Sequence, residues 1–240
     1  MLATGAITSQ EVCSAFRKRA AIAHQVTNCG TEIFFDKALE RAKFLVDYLA
    51  REQKPFGRFH GLPISIKDSF NVKGLASTLG YVKLLKNPVA TENSILVDIL
   101  LDNGAVLYMK TNVPQTLMTC DSINNVFGRT LNPHKLSLTA GGSSGGEGAL
   151  VGFRGSLLGV GANVGGSIRI PALSCGVYGF KPTADRVPYG KQEEGSRPGD
   201  PGMVSVAGPL ATSAADLSFF FRNVLKSEPW KRDATALAVP

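Results

Sequence analysis

Two serines stand in glycine-rich sequence: Ser143 in Gly141-Gly142-Ser143-Ser144-Gly145-Gly146 and Ser167 in Val164-Gly165-Gly166-Ser167-Ile168-Arg169. Upstream, Lys67 closes the apolar run Leu62-Pro63-Ile64-Ser65-Ile66. A serine hydroxyl becomes a nucleophile only where something takes its proton and something stabilises the oxyanion that forms. Glycines let consecutive backbone N–H groups turn toward one point, because they tolerate positive φ and close approach. A lysine held in an apolar strand loses its charge readily and can act as a base. The three requirements coexist here, which reads as a serine hydrolase that works without histidine.

Other uses of glycine-rich loops fail on spacing. A Walker A loop needs Gly-Lys-Ser/Thr, which does not occur. The dinucleotide fingerprint fails because its third glycine, counted from Gly159 and Gly161, falls on Val164. Gly141-x-Ser143-x-Gly145 matches the nucleophile elbow, but that mechanism needs a histidine downstream. His24, His60 and His134 all precede Ser143. Each serine alone reads equally well as a loop residue bonding its own backbone, and Lys67 as an exposed strand end. The conjunction favours chemistry.

With 240 residues, 44% hydrophobic and 19% charged, the chain has enough apolar content for a sizeable core. The net charge of +7 is scattered, Arg17-Lys18-Arg19 being the longest basic run, and aromatics do not interleave with it. No nucleic-acid partner is expected. Cys13, Cys29, Cys120 and Cys175 form no C-x-x-C pair, and with three histidines they offer no metal spacing. A metal-free, cofactor-free site is expected. Neither a membrane span nor a signal peptide is evident, so the reading is cytoplasmic, with reduced thiols.

These residues need elements to position them. Thr8-Ser9-Gln10-Glu11 predicts a capped helix carrying Val12, Phe16 and Ala20. A second helix is expected from Asp36, with Leu39, Ala42, Val46 and Leu49 as its apolar stripe. Leu62–Ile66 reads as a buried strand with Lys67 at its C-terminal end, where ligand sites form in α/β folds. A helix over Ser94–Asn103, a strand over Ala105–Lys110, a helix over Ser143–Arg154 and a strand over Leu157–Ala162 follow. A Gly/Pro-rich loop spans Tyr189–Met203, and Ser213 caps a last helix bearing Leu217, Phe220, Phe221 and Val224. The alternation predicts an α/β fold.

The chain resembles the amidase signature family of Ser–Ser–Lys hydrolases. The resemblance rests on Gly142-Ser143-Ser144-Gly145-Gly146-Glu147-Gly148-Ala149-Leu150, Asn112-Val113-Pro114-Gln115, Asn132-Pro133 and Gly179-Phe180-Lys181-Pro182-Thr183. It covers residues 1–240 as one partial domain, nearest the fungal acetamidase and general amidase branch, with fatty acid amide hydrolase a relative. It implies an α/β/α layered fold with a mixed central sheet, incomplete here, and hydrolysis of a small linear amide. By resemblance, Ser167 is the nucleophile, Ser143 after a cis peptide relays the proton, and Lys67 is the neutral base. Val164, Gly165, Gly166 and Ser167 then supply the oxyanion hole, Ser144 and Arg169 orient the loops, and Met118 and Thr119 approach the acyl pocket.

Asn163 stands where the family usually has Asp, which puts the loop's orientation and the electrostatics around Lys67 in question. Members are also much longer, so the resemblance implies a truncated chain with incomplete burial of the helix bearing Phe220 and Phe221. It admits a homodimer, and leaves two other readings: a non-catalytic remnant, or an amidotransferase subunit passing ammonia to a partner.

Overall fold

The computed structural model describes residues 1–193 and 204–238. Thr8 opens α1 (Ser9–Thr27) with the expected capping box: its hydroxyl accepts from the Glu11 N–H, and the Glu11 carboxylate accepts from the Thr8 N–H. β1 (Gly30–Ile33) and α2 (Phe35–Glu52) follow. α2 buries Ala38, Ala42 and Leu45, so its core-facing stripe is rotated from the expected one, and Leu39, Val46 and Leu49 flank it half-buried. Small alanines at the centre let the helix approach the sheet closely.

Next come β2 (Pro63–Lys67), α3 (Ile95–Asp102) and β3 (Val106–Thr111). A short hairpin of β4 (Ile123–Asn124) and β5 (Gly128–Arg129) precedes α4 (Gly145–Gly152) and β6 (Leu158–Asn163). The chain continues through α5 (Arg169–Ser174), β7 (Tyr178–Gly179), β8 (Val206–Ala211) and α6 (Ala214–Leu225). The six-stranded sheet runs β1-β3-β2-β6-β8-β7. β3, β2 and β6 are mutually parallel, while β1 and β8 join their neighbours antiparallel, so the sheet is mixed as expected.

Two apolar cores lie on opposite faces of this sheet and make three layers. Ile64 and Ile66 of β2 pack with Leu96, Val97 and Leu100 of α3 and with Leu217, Phe220 and Val224 of α6. Ala20 and Ala23 of α1, Ala38, Ala42 and Leu45 of α2, Tyr108 of β3 and Ala149 and Leu150 of α4 fill the other face. Side chains alternate along a strand, so Ser65 and Lys67 must point away from Ile64 and Ile66, toward α4. β6 alternates in the same way: Leu158, Val160 and Ala162 join the α3–α6 core. Its glycines face α4, since a Cβ at Gly159 would lie 2.0 Å from Glu147 Oε2. Glycine on that face makes room for a buried carboxyl.

Several expectations shift. α4 begins at Gly145 because Ser143 and Ser144 are held in the preceding turn. β1, α5, β7 and β8 were not anticipated; β8 contains Gly208-Pro209, a loop-like dipeptide, yet pairs with β6 along its whole length. Phe220 is fully buried against Phe59, whereas Phe221 is only half-buried, edge-on to Phe180, so burial of this helix is complete at Phe220 and incomplete at Phe221. Of the loop expected over Tyr189–Met203, residues 194–203 lie outside the described residues, as do 239–240 of the apolar end. No helix among the described residues is long and apolar enough to cross a membrane.

Candidate active site

The C-terminal ends of the three parallel strands meet at one point. β2 delivers Lys67, β3 delivers Thr111 and Asn112, and β6 delivers Asn163 and the loop after it. Lys67 is 1% exposed and its ammonium lies 2.7 Å from Ser143 Oγ and 3.4 Å from the Ala162 carbonyl. Burial pushes its pKa down from 10.5 to about 7, a shift the charges of Glu147 and Asp68 oppose. Near neutral pH a large fraction of this amine is therefore uncharged and able to accept a proton from the hydroxyl it touches.

Ser143 follows a cis peptide bond from Gly142. Two contacts fix its loop. The Ser122 hydroxyl accepts from the Gly145 N–H and donates to the Gly141 carbonyl, both at 3.0 Å, so one buried oxygen spans both ends of Gly141–Gly145. Gly142 lies directly under the Thr119–Asp121 backbone, where a Cβ would come within 2.4 Å of the Thr119 carbonyl. Thr119 thus borders the serine loop through its backbone, whereas the Met118 side chain is exposed on the same segment.

Ser167 belongs to the loop between β6 and α5. The Ser144 N–H donates to its carbonyl at 3.1 Å, which joins the two serine loops. Ser144 Oγ donates to the Ala162 carbonyl at 3.2 Å. Asn163 closes the second loop from inside: its Oδ1 accepts from the Ile168 N–H, and its Nδ2 donates to the Val164 carbonyl, each at 3.0 Å. The second bond requires an amide, so asparagine is a working part of this turn. The Arg169 guanidinium donates to the Gly165 carbonyl at 2.8 Å and braces the outer side. Among the described residues, the N–H groups of Val164, Gly165, Gly166 and Ser167 donate to no protein acceptor. The Ser167 hydroxyl makes no hydrogen bond to Ser143.

Sequence reasoning passed over a second tier of groups. Glu147, wholly buried on α4, contacts the Ser65 hydroxyl at 2.6 Å and the Thr111 hydroxyl at 2.8 Å. Burial pushes its carboxyl up to about 8, against the pull of those hydroxyls and of Lys67. A lone acid within Gly145-Gly146-Glu147-Gly148-Ala149-Leu150 was the available signal. Asp68 turns away from the serines: it accepts from the Thr31 hydroxyl and the Thr78 and Leu79 N–H groups, and lies 3.8 Å from the Lys110 ammonium.

The family profile described as Amidase matches residues 11–240. The chain belongs to the amidase family. It is 54% identical over its full length to an amidase of Gibberella moniliformis, of which it covers 45%, and 48% identical to an acetamidase of Emericella nidulans, of which it covers 43%. A solved structure of a fatty acid amide hydrolase superposes on the whole chain with TM-score 0.96 at 42% identity, the chain covering 42% of it. The chain thus spans less than half the length of these relatives.

Proposed function

We propose that this chain carries the hydrolytic centre of an amidase acting on linear carboxamides, with Ser167 as nucleophile, Ser143 as relay and Lys67 as base. The observation that carries the reading is the 2.7 Å contact between a buried lysine of lowered basicity and the Ser143 hydroxyl. Ser167 Oγ attacks the amide carbonyl, its proton passing to Ser143 Oγ as the Ser143 proton passes to Lys67 Nζ. The developing oxyanion meets the unengaged N–H groups of Val164–Ser167, where one such donor is typically worth about 3–4 kcal/mol. The C–N bond then breaks, and the proton returns through Ser143 to the leaving nitrogen. Water cleaves the Ser167 ester by the reverse path and releases the carboxylate. The link from Ser167 to Ser143 is expected to tighten on substrate binding, as such contacts commonly do. The relatives' names, amidase and acetamidase, support a small aliphatic substrate.

The test is covalent labelling by a fluorophosphonate, followed by mass spectrometry, with acetamide hydrolysis in parallel. The label should sit on Ser167, and Ser167→Ala should abolish both labelling and turnover. Labelling of another residue, or turnover surviving in Ser167→Ala, refutes the assignment.

A further inference from the structure

Behind Lys67 lies a buried hydroxyl chain whose protons can be counted. Glu147 Oε2 and Ser65 Oγ are 2.6 Å apart, Ser65 Oγ and Ser156 Oγ 3.0 Å, and Ser156 Oγ and the Leu158 carbonyl 2.9 Å. Each contact needs one proton. The carbonyl has none to give, and Ser65 and Ser156 have one each. The Thr111 hydroxyl is spent on Glu147 Oε1, and Tyr108 directs its own hydroxyl to the Gly155 carbonyl at 2.7 Å. Ser65, Thr111, Glu147, Ser156 and Leu158 are at most 2% exposed, so bulk water does not complete the set. Three contacts and two hydroxyl protons leave one proton to be found, and the Glu147 carboxyl is where it fits.

We propose that Glu147 is held as a neutral carboxylic acid donating into the chain Ser65–Ser156–Leu158 C=O, and that it acts as a positioning residue. In that form it fixes the β2 face beside Lys67 without placing a carboxylate against it. The consequence for catalysis rests on the hydrolase reading; the protonation state does not.

The surroundings agree. The titratable groups that sense Glu147 are Lys67 on β2, Tyr108 on β3 and Cys29 ahead of β1. Burial keeps Tyr108 and Cys29 neutral, so neither supplies a cation to stabilise a carboxylate. Among the described residues Lys67 is the one cation facing it, and burial lowers its pKa to about 7, so part of that charge is already lost near neutral pH. Asp68, whose charge also reaches Lys67, is occupied by the Thr31, Thr78 and Leu79 donors. An ionised Glu147 would draw the proton back onto the base; a neutral one releases Lys67 to accept from Ser143.

Infrared spectroscopy tests the protonation state independently of hydrolysis. The chain grown with ¹³C-carboxyl glutamate should show a protonated carboxylic-acid carbonyl band near pH 6.5 that shifts with the label and disappears in Glu147→Gln. Ser65→Ala, which removes the acceptor, should move that band to higher frequency and assigns it if the Gln variant does not fold. Absence of a protonated-acid band, or a band that Glu147→Gln and Ser65→Ala both leave unchanged, overturns the proposal. Its positioning role is read from fluorophosphonate labelling. Glu147→Gln reproduces the acid's donor and acceptor, so it should label about tenfold faster than Glu147→Ala, the rate equivalent of one buried hydrogen bond restored. Its pH midpoint should also stay near that of the wild type. A Gln variant as slow as the Ala variant, or a midpoint moved about one unit or more to lower pH, means that a carboxylate was acting on Lys67 and refutes the neutral acid.

Discussion

Gly146 and Gly165 offer a paired test of how the serine loops are held. A Cβ on Gly146 would lie 2.3 Å from the Asn112 nitrogen, 2.5 Å from the Cys29 carbonyl oxygen and 2.7 Å from the Asn112 carbonyl oxygen. All three are backbone atoms and none can swing aside. To regain ordinary contact the first turn of α4 must retreat by about 1 Å, which breaks the 3.0 Å bond from the Gly146 N–H to the Asn112 carbonyl. Overpacking of this kind costs about 1–3 kcal/mol, and a buried unpaired group about 1–3 kcal/mol more. Alanine's better helix propensity returns at most about 1 kcal/mol. The net loss for Gly146→Ala is about 1–6 kcal/mol, a fall in Tm of about 3 °C for each kcal/mol in a chain of this size. Ser143 moves with the turn, so fluorophosphonate labelling should fall about 100-fold. At Gly165 an added Cβ meets nothing within 4 Å. Gly165→Ala should melt within about 2 °C of the wild type. Thermal scans of the two variants decide the matter. A Gly146→Ala protein that melts like the parent, or a Gly165→Ala protein equally weakened, refutes the packing argument.

Two further outcomes follow from the buried polar groups. Lys67 has a folded-state pKa of about 7 against 10.5 for a free lysine, so the unfolded chain binds more protons between those values. Stability from this group is lowest below pH 7 and rises toward pH 10.5 by at most about 1.4 kcal/mol per unit; Lys67→Met should flatten that rise in urea titrations at stepped pH, and an unaltered slope counts against it. Ser122→Ala deprives the Gly145 N–H of its acceptor and the Gly141 carbonyl of its donor, at a cost of about 1–3 kcal/mol; amide exchange at Gly145 should accelerate, and undiminished protection would show that Ser122 does not hold the loop.

Elements with a local cause could be read from the chain itself. Thr8 and Glu11 cap α1 because their reciprocal bonds lie within one turn, and Ser213 caps α6 through the Asp216 N–H for the same reason. Lys67 was legible because the apolar run before it has no other use than a buried strand. What escaped was decided by partners distant in sequence. β8 is a strand because β6 pairs with Val206–Ala211, although Gly208-Pro209 argues for a turn. The stripe of α2 keeps the expected Ala42 but turns toward Ala38 and Leu45, because the small Ala38, weak in any apolar pattern, fits against the sheet. Glu147 carried no periodic signal, since its significance lies in Ser65 and Thr111 on two other strands. Asn163 stood out only as a departure from the family's Asp, whereas its amide supplies a donor that the turn uses.

The parallel pairing of β2 with β6 has a kinetic side. Lys67 precedes Ser143 by 76 residues, and Ala162, its second contact, by 95. At about 5–20 residues per second, synthesis of the first interval alone takes roughly 4–15 s. Throughout that time the lysine is hydrated and carries its proton, because nothing yet buries it. Seating β6 and α4 removes the water and lowers the amine's basicity, so near neutral pH part of that proton must leave as the sheet closes. Assembly of the strands and discharge of the base are then one event: the closing step releases acid and runs more easily as the pH rises.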